Sequence, residues 1–216
     1  MRISICRVDG ASDNTVKSAL EHLSRAGLCA TECARLRDIH HIDARAASVG
    51  ARLALLWALT DGQEGLSVHE LGDLPALMDM PLASLARTEN GAPLLMGEER
   101  TVSFAHSDRL ALCALSTKER VGVDVEPLDR RITRAEDIAA RYFSDGEQAL
   151  LARANDRDRA FLGIWTRKEA LGKALGTGLD NTAAALDTTA YPADSFGEYV
   201  VDGALVSVCV LGEVAE

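Results

Sequence analysis

The sequence is poor in aromatic residues and proline, and it has no long apolar run. Only 4% of its 216 residues are aromatic, and five are proline. The longest apolar run, residues 53–59, is far shorter than the roughly 20 residues that a membrane-spanning helix needs. We do not expect the first residues, Met1 to Ser4, to begin a signal peptide. We therefore expect a cytoplasmic protein that is not bound to a membrane.

The sequence also lacks a cysteine pattern typical of disulfide bonds, and it has fewer positive than negative charges. The cysteines are odd in number and include no C-x-x-C spacing: Cys6, Cys29, Cys33, Cys113 and Cys209. This favours free, mostly buried thiols over disulfide bonds or a thiolate metal site. The 33 acidic residues outnumber the 23 lysines and arginines, and the formal net charge of −10 argues against nucleic acid as a partner. The 47% hydrophobic content is enough to bury one sizeable core or two small ones.

The stretch VGVDVEP, residues 121–127, alternates with a period of two, which is typical of a β-strand. Its three valines point to one side, and Asp124 and Glu126 point to the other. Carboxylates two residues apart on a strand lie roughly 7 Å apart and repel each other unless a cation lies between them. Mg²⁺ is the natural candidate, because it binds a few carboxylates and completes its shell with water and phosphate oxygens. A solvated strand edge with alternating acids is the alternative interpretation.

A second stretch predicts a helix from about Asp158 to Gly176, where Gly-Thr-Gly ends it. Trp165, Glu169 and Lys173 recur at every fourth residue, so an acid and a base share one helix face beside an aromatic ring. By itself, this pattern also fits a surface Glu–Lys pair, which is worth about 0.2–0.5 kcal/mol.

Together the two stretches resemble the signature of the 4′-phosphopantetheinyl transferase superfamily, which is Gly-x-Asp and then Trp-x-x-Lys-Glu-x-x-x-Lys. In this chain the first element is Gly122-Val123-Asp124, and the second runs from Trp165 through Lys168-Glu169 to Lys173. Between them, residues 140–144 with Glu147 resemble a further family segment. The Asp-Val-Glu-Pro form resembles the larger, Sfp-type members, which act as single chains. The resemblance is strong from about residue 104 to residue 186 and weaker before it.

The resemblance implies an α+β fold of two similar halves, each a long helix packed on a small, mainly antiparallel sheet. A pseudo-twofold axis would relate the halves, with a cleft between them. We place the division between residues 107 and 108, so that residues 1–107 bind the 3′-phosphate of coenzyme A and residues 108–216 contain the Mg²⁺ site and the catalytic helix. Residues 110–116 and 121–127 are expected to pair as a hairpin. Residues 62–85 are expected to form a variable, loop-rich region with one short helix at most.

The resemblance also implies an activity, namely Mg²⁺-dependent transfer of 4′-phosphopantetheine from coenzyme A to a serine of an apo acyl or peptidyl carrier protein. Adenosine 3′,5′-bisphosphate would be released. Asp124, Glu126 and Glu169 would hold the Mg²⁺. Lys173 would neutralise phosphate charge, and Lys168 would contact phosphate or orient the site. Glu169 is the best candidate for taking the serine proton, either directly or through a metal-bound water, and the sequence does not decide which group takes it. We expect this holo-acyl-carrier-protein synthase to act as a monomer, and its carrier could belong to fatty-acid, polyketide or peptide synthesis.

Two positions depart from the family pattern. Ala92 stands where relatives have a phosphate-binding lysine, and Ala105 replaces the first serine of a Ser-His-Ser strand end. His106 matches this strand end and is expected to bind phosphate. The remaining candidates for coenzyme A binding are Arg45, Arg87 and His41.

These two alanines favour a second interpretation, a non-catalytic relative that binds coenzyme A or a carrier. The intact acids and Lys173 oppose it. A Mg²⁺-dependent phosphodiesterase is a weaker alternative, because nothing in the sequence resembles a water-activating two-metal cluster.

Overall fold

The chain folds into two compact units, Met1–Lys118 and Glu119–Glu216. The structure, a computed structural model, describes residues 1–61, 64–79, 81–89, 91–178 and 185–213. The predicted α+β class is confirmed, because each unit places helices on a small sheet.

The first unit contains a four-stranded sheet of order β2-β1-β6-β5 and a separate β3–β4 pair. Its elements are β1 (Arg2–Arg7), α1 (Asp13–Arg25), α2 (Ala30–Arg37), α3 (Ile42–Thr60), β2 (Gly65–Glu70), β3 (Leu85–Arg87), β4 (Pro93–Leu95), β5 (Thr101–His106) and β6 (Leu110–Ser116). Strands β1 and β2 are parallel, and the other pairings are antiparallel.

Helix α3 is buried on this sheet because nearly all of its second half is apolar. Leu53, Leu55 and Leu56 are fully buried in the core of the first unit. Gly50 permits the close approach, since a Cβ at this position would lie 2.6 Å from Val8 Cγ1. The absence of a side chain thus lets the helix lie close to the end of β1 and to β6, since Cys6 and Ala111 lie within 3.3 Å of the same point.

The second unit contains a three-stranded antiparallel sheet of order β7-β9-β8. Its helices and strands are β7 (Glu119–Pro127), α4 (Ala135–Tyr142), α5 (Asp145–Arg153), α6 (Arg157–Leu175), β8 (Phe196–Val201) and β9 (Ala204–Glu213), with short 3₁₀ turns at Thr188–Ala190 and Ala193–Ser195. The predicted catalytic helix and metal strand are therefore present as α6 and β7.

Local signals account for both ends of α6. The Asp156 side chain accepts a hydrogen bond from the Arg159 backbone N–H at 2.9 Å, which caps the first turn. Gly176 adopts φ 74° after the last helical residue, a conformation that glycine reaches without steric cost.

Three features of the predicted organisation differ from the structure. Strand β6 does not pair with β7 as a hairpin, because β6 lies between β1 and β5, whereas β7 pairs with β9. For the same reason the division falls after Lys118 and not between residues 107 and 108, since β5 and β6 belong to one sheet. The supposedly loop-rich region also contributes strand β2. The pseudo-twofold axis stays a prediction.

None of the helices in the described ranges combines the length and apolar character that crossing a membrane requires.

Candidate active site

The site is built where helix α6 lies directly on strand β7. Gly122 has no room for a side chain, because a Cβ there would lie 1.9 Å from the Ala170 carbonyl oxygen and 2.6 Å from the Ala174 nitrogen. The Gly-x-Asp pattern thus has a packing reason. Glycine lets the helix backbone touch the strand, and the acid two residues later on the same strand face points toward the helix.

Asp124 is the most constrained acid of the site. It is only 9% exposed, and its Oδ1 accepts a hydrogen bond from Lys173 Nζ at 2.8 Å. Lys173 Nζ also donates to the Val123 carbonyl oxygen at 2.9 Å. The other carboxylate oxygen, Asp124 Oδ2, is buried and has no hydrogen-bond partner. Buried polar atoms nearly always have a hydrogen-bond partner, so an unpaired oxygen of this kind calls for an explanation.

The acids of the site influence one another. Burial raises the pKa of Asp124 above its ordinary value, although Lys173 opposes the rise and the charge of Glu126 adds to it. Burial also raises the pKa of Glu169, and the charges of Asp124 and Glu126 raise it further, again against Lys173. Lys173, which pairs with Asp124, and Arg130, which pairs with Glu126, offset part of the charge of these three acids, and an excess of negative charge remains at this point of the second unit.

The predicted set of three metal ligands is not assembled as a cluster. Glu126 accepts a hydrogen bond from Arg130 Nη1, and Asp124 is paired with Lys173. Within the described ranges, no three His, Cys, Asp or Glu side chains are grouped closely enough to hold a metal ion. Metal binding by Asp124, Glu126 and Glu169 together stays a prediction.

Lys168 is not where a phosphate ligand would be. Its side chain is completely buried, and Nζ donates to Glu147 Oε2 at 2.7 Å and to the Leu186 carbonyl oxygen. In this arrangement it cannot reach a substrate. Lys168 directly precedes Glu169 in the sequence. Successive side chains on a helix point about 100° apart, however, so Lys168 and Glu169 face different surroundings.

A cavity of about 150 Å³ lies close to the acids within the second unit. It is lined by Arg130, Arg131, Ile132, Thr133, Ile138, Phe161, Leu162 and Trp165. Arg130 binds Glu126, and Trp165 precedes Glu169 by one helical turn. The cavity thus combines an apolar wall with a cationic edge beside the site.

The candidates of the first unit are spread over several elements. His106 is exposed at the end of β5, and His41 is exposed immediately before α3, with Nδ1 3.7 Å from Asp43 Oδ2. Arg45 donates to Asp13 Oδ1 at the start of α1. Arg87 donates through Nη2 to Glu32 Oε1 at 3.0 Å. Each arginine is therefore paired with an acid.

Sequence reasoning missed the cluster around Glu32. This carboxylate accepts hydrogen bonds from Arg35, Arg87 and the buried Arg52, whose Nη2 lies 2.7 Å away. The cluster borders a cavity of about 160 Å³, which Phe104 also lines. One signal was present in the sequence, since Arg52 is the only charged residue between Arg45 and Asp61. Three cations around one acid give this cavity a positive field.

The Glu32 cluster should make the fold sensitive to acid. Burial alone would raise the pKa of Glu32, but hydrogen bonds from Arg35 and Arg87 and the charge of Arg52 outweigh it, so the pKa lies well below its ordinary 4.5. A depressed carboxyl pKa stabilises the fold above 4.5, and this contribution is lost as pH falls further. Urea unfolding of the wild type from pH 7 to pH 3 should show this loss, and Glu32→Gln should flatten it. Equal pH slopes for the two proteins would contradict the assignment.

Residues 120–198 match the family model described as the 4′-phosphopantetheinyl transferase superfamily. This confirms the resemblance over the segment that contains Asp124, Glu126, Glu169 and Lys173.

Among curated proteins, the chain is 38% identical over 79 residues to the 4′-phosphopantetheinyl transferase HetI of Nostoc sp., covering 36% of this chain and 33% of that protein. It is 32% identical over 95 residues to the fatty acid synthase subunit alpha of Penicillium patulum, covering 44% of this chain and 5% of that protein. The chain therefore spans a third or less of the curated relatives that it matches. Among solved structures, a holo-[acyl-carrier-protein] synthase of Thermotoga maritima aligns with 44% of this chain and 63% of its own, at 22% sequence identity. The TM-score of this alignment is 0.29, and no conclusion is drawn from it.

Proposed function

We propose that this chain transfers 4′-phosphopantetheine from coenzyme A to a serine hydroxyl of an apo carrier protein, releasing adenosine 3′,5′-bisphosphate. The observation that carries the proposal is the buried, unpaired Oδ2 of Asp124 beside Lys173, in the segment that matches the transferase superfamily. Over part of its length the chain is also similar to a 4′-phosphopantetheinyl transferase and to a fatty acid synthase subunit.

The residues fit a divalent cation chemically. Mg²⁺ uses one or two protein carboxylates when phosphate oxygens and water complete its shell. Asp124 supplies an unpaired buried oxygen, and Glu169 supplies a second carboxylate in the same negative field. We propose these two as its main ligands, with Glu126 contributing if it leaves Arg130. A bound Mg²⁺ would neutralise charge on the pyrophosphate oxygens.

Lys173 can neutralise the charge that develops on the phosphate, and Glu169 can accept the proton of the serine hydroxyl. Lys173 lies one helical turn beyond Glu169 and is partly exposed, so its ammonium can donate to a phosphate oxygen as negative charge gathers. Burial and the neighbouring acids raise the pKa of the Glu169 carboxyl, which favours it as the proton acceptor, and a cation bound to the same carboxylate would lower that pKa again. The serine oxygen then bonds to the β-phosphorus, its proton passes to Glu169, and the bond from this phosphorus to the bridging oxygen breaks.

We propose that the first unit contributes to binding of the donor. Arg87 is the best candidate there, because its side chain is 37% exposed at the edge of the positive cavity around Glu32. Arg45, which is also paired with an acid, is less suited because its side chain is only 20% exposed. In the second unit, the apolar wall of the cavity near Trp165 suits the pantetheine arm.

One incubation separates the possible activities. The pure protein is mixed with coenzyme A and Mg²⁺, with and without an apo carrier protein, and released adenosine 3′,5′-bisphosphate is measured by chromatography. We expect adenosine 3′,5′-bisphosphate to be released only when the carrier is present. Release without a carrier would indicate a phosphodiesterase, and no release with fatty-acid, polyketide and peptide carriers would indicate a non-catalytic relative.

Lys173→Met should lower kcat by about a hundredfold, the scale of one lost donor to a developing negative charge. The Michaelis constant for coenzyme A should change only a few-fold, because the contact is used mainly in the transition state. Steady-state kinetics would measure both, with the exposed Lys118→Met as a control for loss of one positive charge. A normal kcat with a strongly raised Michaelis constant would make Lys173 a simple anchor.

A further inference from the structure

A fully buried ion pair joins three segments of the second unit. Glu147 and Lys168 are both 0% exposed, and Lys168 Nζ lies 2.7 Å from Glu147 Oε2. Glu147 Oε2 also accepts from the Ser144 backbone N–H at 2.8 Å. Glu147 Oε1 accepts from the backbone N–H and the hydroxyl of Thr188, at 2.9 and 2.8 Å. One carboxylate therefore ties the start of α5 to α6 and to the chain that follows α6.

The pair holds α6 from the side away from β7. On the β7 side, the contact between Gly122 and Ala170 sets how closely the helix approaches the strand. A contact on one side limits distance but leaves rotation about the helix axis less defined. Lys168, anchored at its tip to Glu147 and to the Leu186 carbonyl, limits that rotation.

The proposed catalytic side chains lie immediately after this anchor. Glu169 follows Lys168 directly, and Lys173 lies five residues further along the same helix. A rotation of α6 would displace both side chains relative to Asp124, and small displacements of reacting groups have large effects on rate.

We propose that Glu147 is a positioning residue, which acts through Lys168 to set the rotation of α6 and so to place Glu169 and Lys173 against Asp124. This inference rests on the proposed function for its effect on rate. The effect of Glu147 on the position of Lys173 can be measured in a structure, independently of any activity.

The test uses the double variant Glu147→Gln/Lys168→Met. It removes both buried charges and keeps similar side-chain volumes, and buried ion pairs are often replaced by uncharged groups without loss of stability. The single variant Lys168→Met accompanies it in case the double variant does not fold, because Glu147 then keeps its hydrogen bonds from Ser144 and Thr188. Both variants break the contact of Glu147 with α6 and are called the Glu147 variants. The matched control is Thr166→Val, which removes a different buried contact of α6, the 2.7 Å hydrogen bond between Thr166 Oγ1 and Ser207 Oγ.

Two readouts are compared for all variants. The first is steady-state kinetics with coenzyme A and an apo acyl carrier protein. The kcat of the Glu147 variants should fall by about thirtyfold, while their Michaelis constant for coenzyme A should stay within about threefold of the wild type. This is the pattern expected when contacts made in the transition state are lost. Thr166→Val should keep kcat within about threefold. The second is the crystal structure, where the contact between Lys173 Nζ and Asp124 Oδ1, 2.8 Å in the wild type, should be lost in the Glu147 variants and kept in Thr166→Val.

An unchanged kcat in the Glu147 variants would overturn the proposal, and so would a reduced kcat with the contact to Asp124 intact. Equal losses of kcat in Thr166→Val would show that any weakening of α6 has this effect, which also overturns it. If the wild type transfers nothing to any carrier, the proposed function fails, while the crystal structures still decide whether Glu147 places Lys173.

Discussion

Asp124→Asn is expected to abolish transfer, with a loss on the order of a thousandfold, and to leave the protein at least as stable as the wild type. Transfer should fail because asparagine brings no negative charge to the proposed Mg²⁺ site, where a carboxylate is the preferred ligand. Stability should not fall because burial raises the pKa of Asp124, which means that folding disfavours its charged form at neutral pH. Lys173 keeps the Val123 carbonyl as a partner and is partly exposed to water.

Two measurements check this prediction. Kinetics with coenzyme A and a carrier protein gives the activity, and urea unfolding of both proteins gives the stability. The stability gain of the variant should be present at neutral pH and should shrink as pH falls through the raised pKa, where the wild-type acid becomes neutral. An active variant would remove Asp124 from the chemistry. An inactive but unfolded variant would show that the acid is needed for the fold instead.

Gly122→Ala is expected to have the largest effect on the fold. A Cβ at this position would lie 1.9 Å from the Ala170 carbonyl oxygen. The backbone fixes the positions of both atoms, so no side-chain rotation can relieve the clash. Overpacking of a core commonly costs 1–3 kcal/mol, and a clash between two backbone segments should exceed about 3 kcal/mol. Thermal and urea unfolding would measure the loss.

Gly163→Ala is the matched control, since Gly163 lies on the same helix with its nearest neighbour, Glu198 Oε1, at 3.7 Å from the added Cβ. Here alanine should stabilise the protein by up to about 1 kcal/mol, through its better helix propensity. Comparable stability for the two variants would mean that α6 does not touch β7 as closely as described.

The parts of the site that follow local patterns were predictable. Strand β7 was evident from alternating valines and acids, and α6 from its helix-forming residues and its terminal glycine, so Asp124 and Lys173 could be named in advance. These signals extend over a few residues and depend little on the rest of the chain. The contact of Lys173 with Asp124 then follows from the packing of one element on the other.

The parts that depend on distant partners were not predictable. Lys168 pairs with Glu147, 21 residues upstream, and nothing in the sequence distinguishes a buried lysine from an exposed one. Strand β7 follows β6 closely, yet it pairs with β9 near the end of the chain. The Glu32 cluster draws its arginines from α2, α3 and β3. Such pairings are decided by tertiary packing and leave little trace in one sequence.

Transfer is tested most directly by the intact mass of an apo carrier protein after incubation with this protein, coenzyme A and Mg²⁺. The carrier should gain the mass of one phosphopantetheine group. No gain should occur when the acceptor serine is changed to alanine, when chelator is in excess, or when Asp124→Asn replaces the wild type. An unchanged carrier mass with the wild type, across fatty-acid, polyketide and peptide carriers, would contradict the proposed function.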